Sequence, residues 1–99
     1  MLVIREVFFC KPGKVRAMVE KFKMMSAVSE RLGMGKARVM TDVSADRYWT
    51  VVSEWEVNSL KDFEEMMSNT AQAKEFEVIM KDYHDLVEYG RREIYKIEG

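Results

Sequence analysis

The 99-residue chain predicts an α+β domain, a four-stranded antiparallel sheet with two helices packed on one of its faces. Three observations carry this reading. Strand-like and helix-like hydrophobic periods alternate in the order strand, helix, strand, strand, helix, strand. Turn and capping residues fall at the seams, at Lys11-Pro12-Gly13, Gly33, Ser44 to Arg47 and Ser59. Apolar residues make up 47% of the chain and charged ones 33%, a balance that supports one folded core over residues 1–99.

The first element, Leu2 to Cys10, is β-branched and aromatic with one charge on each alternating face, Arg5 and Glu6, which suits a central strand covered on both sides. Lys11-Pro12-Gly13 ends pairing, because proline has no ladder donor. From Lys14 to Leu32, Val15, Met18, Val19, Phe22, Met25 and Leu32 recur near a 3.6-residue period, predicting an amphipathic helix closed by a left-handed Gly33. Residues 37–43 read as a weaker strand, followed by a polar turn and a strand from Tyr48 to Glu56. Strict alternation there sets Trp49 and Trp55 on one face. Ser59 with Asp62 forms a capping-box variant that opens a second helix. That helix carries Leu60, Phe63, Met66, Met67, Phe76, Ile79, Met80, Tyr83 and Val87, with a kink or short break expected near Asn69 and an end at Gly90. Arg92 to Ile97 alternates as the last strand. The order is the split βαβ, or ferredoxin-like, order, whose two right-handed crossovers place both helices on one face.

Charge separates along the chain. Residues 1–36 hold eight basic and three acidic side chains, whereas residues 59–88 hold three basic and eight acidic, so the two regions are either oppositely charged solvent faces or partners in a direct contact. A net charge of −1 gives no nucleic-acid footprint, no apolar run is long enough to span a membrane, and a single cysteine without a leader pattern predicts a cytoplasmic protein. The face of the third strand bearing Tyr48, Thr50, Val52 and Glu54 is too apolar for exposure and too polar for a dry core, so a homodimer pairing these sheet faces is expected.

Phe9-Cys10-Lys11-Pro12-Gly13-Lys14 after the first strand, Ser53-Glu54-Trp55-Glu56 before a capped helix, and Tyr89-Gly90-Arg91-Arg92-Glu93-Ile94-Tyr95 at the end resemble the dimeric α/β-barrel superfamily. The nearest flavour is the NIPSNAP-like and antibiotic-biosynthesis-monooxygenase-like domains. The resemblance implies a dimer of paired sheets and a ligand pocket between helices and sheet. Its branches include cofactor-free oxygenases, haem-degrading enzymes, isomerases and proteins of no known activity, and fold alone does not choose among them.

His84 is the only histidine, and either it or the adjacent Tyr83 is a candidate catalytic base. His84 is also the one candidate axial ligand in a haem-binding alternative; the competing reading is a solvated histidine between Asp82 and Asp85. Trp49, Trp55 and Tyr95 are candidate substrate-lining aromatics, or ordinary core. Arg5 and Glu54, on strands expected to be neighbours, either orient a polar ligand or form a structural ion pair, with Arg5 the candidate ligand contact. Eight methionines beyond the first, mainly on the helices, suit an adaptable apolar cavity or core filling. Cys10 reads as an inert thiol, and no metal motif, phosphate loop or nucleophile elbow is present, so neither metal nor cofactor is expected. The expected function is binding of a small apolar or aromatic molecule. For its catalytic form the resemblance implies cofactor-independent monooxygenation or a related proton-transfer reaction, and a non-catalytic dimerisation or ligand-sensing module is the alternative.

Overall fold

The computed structural model describes residues 1–99. In chain order they form β1 (Leu2–Cys10), α1 (Val15–Arg31), β2 (Arg38–Thr41), β3 (Thr50–Val57), α2 (Leu60–Met67), α3 (Thr70–Ile79) and β4 (Val87–Lys96). The sheet order is β2-β3-β1-β4 with every neighbouring pair antiparallel, the ferredoxin-like arrangement, and β1 is central. The first helix buries Met18, Val19 and Phe22 against Cys10 and Val51. It stops at Gly33, whose φ of 77° meets the need for a left-handed residue after a helix.

The second helical region divides where the sequence predicts. Asn69 ends up capping a new helix, its side-chain oxygen accepting from the Gln72 amide at 2.8 Å, while Ser59 caps α2 by accepting from the Asp62 amide at 3.3 Å. Its far end differs from expectation. Helix α3 stops at Ile79, Asp82 turns left-handed with φ 64°, Tyr83–Asp85 makes one 3-10 turn, and β4 starts at Val87. Tyr83 is therefore outside the α-helix, and Val87 and Gly90 are in a strand. The periodic spacing that suggests a helix there is outweighed by sheet pairing, since Phe8 faces Gly90 and Phe9 faces Tyr89 across β1 and β4. The start of β3 also differs: Trp49 precedes the strand with a left-handed φ of 63°, because the hairpin closes through Asp42, whose carboxylate accepts from the Thr50 amide at 2.9 Å. Trp49 therefore does not extend the alternation that carries Trp55.

The oppositely charged regions do meet. Arg31 of α1 pairs with Glu75 of α3, and Lys21 donates to the Ile79 carbonyl at 2.6 Å and the Lys81 carbonyl at 3.1 Å, closing the C-terminal end of α3. Both members of the Arg31–Glu75 pair are well exposed, so it orients the helices more than it stabilises them.

Register assigns the two sheet faces. Ile4, Glu6, Phe8 and Cys10 of β1 share the helix-covered face, and cross-strand rows there run Trp55–Ile4–Ile94, Ser53–Glu6–Arg92 and Val51–Phe8–Gly90. The opposite, open face carries Arg5, Val7 and Phe9, with a row of alternating charge, Arg38–Glu54–Arg5–Glu93, crossing all four strands. No helix is long and apolar enough to cross a membrane.

Candidate functional site

Between the helices and the sheet lies a cavity of about 210 Å³. Its floor is the polar row Ser53–Glu6–Arg92 with Phe8 and Trp55 on either side, and its walls come from α1, α2, α3 and the loop at Met34–Ala37. Five methionines converge on it, Met25, Met34, Met66, Met67 and Met80, so the methionine excess is spent largely on one adaptable apolar wall.

Local hydrogen bonds hold those walls. The Ser26 hydroxyl, buried on α1, accepts from the Ala37 amide at 2.9 Å and donates to the Ala37 carbonyl at 3.3 Å, fixing the loop that closes one side. Gln72, only 2% exposed, donates through Nε2 to the Ser29 hydroxyl at 2.9 Å and locks α3 to α1. Buried polar groups bonded in this way specify one geometry, since each would otherwise be left unsatisfied.

Two features of the floor are chemically active. Glu6 is hydrogen-bonded by the Nε–H of Arg92, whose guanidinium also lies over the Phe63 ring at 5.1 Å from its centroid. Burial raises the Glu6 carboxyl above its ordinary value, and the hydrogen bond and charge of Arg92 pull it only partly back. Trp55 packs on Phe63 and its Nε1 donor is buried with no acceptor in the chain. Buried donors are seldom left unsatisfied, which sets this one apart from the other polar groups around the cavity.

The sequence-derived candidates separate by position. Trp55 lines the cavity. Tyr83 and His84 do not; they line a neighbouring groove beside Gly90, His84 exposed and its ring 4.1 Å from that of Tyr83, which stacks on Phe8 at 5.8 Å. Glu6, Phe8 and Arg92 line both spaces and so form the partition between them. Tyr95 and Arg5 stand on the open face, where Tyr95 donates to Glu93 at 3.0 Å and Arg5 lies 3.4 Å from Glu54 and 3.6 Å from Glu93. Trp49 lies outside the cavity, 43% exposed. Glu6 and Arg92 went unrecognised as site residues, although the signal was present: Glu6 shares its face with Ile4 and Phe8, so a carboxylate had to lie under the helices.

No family model matches the chain, and no curated protein does. Solved structures match closely in shape. A NIPSNAP family protein of unknown function from Agrobacterium tumefaciens superposes with a TM-score of 0.78 at 16% identity, covering 98% of this chain and 87% of that one. A second NIPSNAP family protein from the same organism gives 0.77 at 14%, covering 96% and 90%. An antibiotic-biosynthesis-monooxygenase-like protein from Nitrosomonas europaea gives 0.72 at 19%, covering all of both chains. The fold is that of the NIPSNAP and antibiotic-biosynthesis-monooxygenase-like proteins. At these identities the likeness is one of fold.

Proposed function

We propose that the chain binds a small aromatic or apolar molecule of one or two rings, bearing one hydrogen-bond acceptor, in the cavity between helices and sheet. The observation that carries this is an apolar cavity of about 210 Å³ lined by Trp55, whose buried Nε1 has no acceptor in the chain. Size supports the ligand class, because an apolar cavity of roughly 150 Å³ stays dry and takes up benzene. The acceptor follows from Trp55. Isothermal titration with 1-naphthol tests the reading: saturable binding is expected, weakened about 3- to 10-fold in Trp55→Phe, the worth of one neutral hydrogen bond. Absence of saturable binding, or equal affinity in the variant, refutes it. The likeness in fold to monooxygenase-like proteins supports cofactor-independent oxygenation as the catalytic form. Oxygen uptake by the chain with a bound phenol, in metal-free buffer, is its test.

The folded unit we propose is a homodimer with the open sheet faces apposed. Val7 and Phe9 are almost fully buried there beneath only the side chains of the same face, and the row Arg38–Glu54–Arg5–Glu93 offers a second copy alternating charge to match. Sedimentation equilibrium should give twice the protomer mass, and Glu54→Arg, which sets a third cation between Arg5 and Arg38, should shift it to one. A wild-type monomer at micromolar concentration refutes this assembly.

A further inference from the structure

The cavity contains one group able to accept a proton, and nothing in the sequence reading or the fold likeness assigns it a role. Of the residues lining the cavity, only Glu6, Lys36 and Arg92 carry charged side chains, and two of these are cations. Glu6 sits at the middle of the floor, between Ser53 on β3 and Arg92 on β4. Its side chain is 18% exposed, and it also borders the outer groove of Tyr83 and His84, which gives its proton a way to solvent. The guanidinium of Arg92 is anchored on Phe63 and bonded to Glu6, so the carboxylate is held in one orientation. A lone ion pair under an apolar cavity adds little net stability, so stability alone does not account for it. Across the floor, Trp55, whose Nε1 donor is unpartnered, follows Ser53 by two residues on the same face of β3, its Cα roughly 7 Å further along the strand. A base and a separate neutral donor, held apart on a rigid sheet under an apolar roof, are the parts required to form an enolate.

We propose that Glu6 abstracts a proton from carbon next to the carbonyl of a cyclic ketone bound in this cavity. A Glu6 carboxylate oxygen takes the α-proton. The C–H electron pair becomes the enolate C=C bond, and the carbonyl π pair moves to oxygen, where Trp55 Nε1–H donates to it. Return of the proton from Glu6 to carbon reverses the step, so exchange of that hydrogen with solvent needs no oxidant or other co-reactant. This inference rests on the cavity being a ligand site and narrows its substrates to carbon acids and their enols.

The test uses 2-indanone in D₂O, with deuterium incorporation beside the carbonyl followed by proton NMR and binding followed separately by titration calorimetry. Wild-type protein should accelerate exchange at least 100-fold over buffer, the usual worth of a positioned base. Glu6→Gln should bind 2-indanone and exchange at the buffer rate, and Glu6→Asp should recover part of the acceleration. Because Glu6→Gln leaves Arg92 without its carboxylate, Glu6→Gln/Arg92→Met provides a second base-free variant with no orphaned charge. Binding without accelerated exchange in wild type, or acceleration that survives in either base-free variant, overturns the role of Glu6 and leaves the ligand site standing. Failure of 2-indanone to bind where 1-naphthol does overturns the carbon-acid proposal alone, and failure of both to bind overturns the ligand site as well.

Discussion

Gly90 is the position where one added methyl group should be felt throughout the site. It lies in β4 opposite Phe8, and a Cβ built on it would meet Phe8 Cδ1 at 2.5 Å, Phe8 Cε1 at 2.8 Å and the Val7 carbonyl oxygen at 3.3 Å. Carbon atoms pack best at about 3.5–4.0 Å, so the Phe8 ring must withdraw by about 1 Å. It has little room to do so, being packed against Phe22 at 5.1 Å and Tyr83 at 5.8 Å between ring centroids. Overpacking of this kind costs about 1–3 kcal/mol, and replacing a strand glycine returns about 0.5–1 kcal/mol. The expected net loss for Gly90→Ala is about 1 kcal/mol, or roughly 4–8 °C in Tm for a domain of this size. Thermal unfolding followed by circular dichroism measures it, at a fixed protomer concentration because a dimer's midpoint depends on concentration. In a Phe8→Leu background the same substitution should be neutral or stabilising, giving a coupling of about 1 kcal/mol in the double-mutant cycle. A Gly90→Ala protein that melts at or above wild type, or a coupling near zero, would show that Gly90 is not there to make room for Phe8. Since Phe8 lines the cavity, the displaced ring should also weaken 1-naphthol binding.

Three further outcomes are expected. Burial holds the Glu6 carboxyl above its ordinary 4.5, so the folded chain binds that proton more tightly than the unfolded one; the stabilisation is full below the unfolded value and fades as pH rises through the folded one. Wild type should therefore lose stability relative to Glu6→Gln from about pH 4.5 upward in denaturant titrations, and a relative gain with rising pH would mean that the Arg92 pair outweighs burial. Ser26→Ala leaves the half-buried Ala37 amide without its acceptor and should lower unfolding free energy by about 1–3 kcal/mol, with amide exchange at Ala37 accelerated; unchanged exchange would exclude the clamp. Cys10 is 3% exposed and burial pushes its thiol upward, so a disulfide reagent at neutral pH should leave native protein unmodified and titrate one thiol per chain after unfolding.

The legible part of this fold was local. Ser59, Gly33 and the break at Asn69 act through bonds and dihedrals within a few residues, and all three behave as their neighbours in sequence require. The segment from Tyr83 to Gly90 failed for the opposite reason: its spacing suits a helix, but left-handed Asp82 ends the helix before it and the backbone from Val87 onward is taken by pairing with β1, some eighty residues away in sequence. The tryptophan pair failed where alternation was extended across a hairpin whose closure at Asp42 turns Trp49 left-handed.

The site divides along the same line. The amino-acid sequence by itself determined the order of elements, their caps, the central place of β1, the opposite charge of the two helical regions and the aromatic and methionine residues available to line a cavity. Each of these follows from side-chain period, backbone preference or charge, which are properties of nearby residues. Which residues meet was decided only by tertiary structure: register set Glu6 between Ser53 and Arg92 under the helices, moved Arg5 and Tyr95 to the open face, and kept His84 outside the cavity. Strand register is a long-range choice in which a shift of one residue turns every side chain to the other face, and no single segment holds that information.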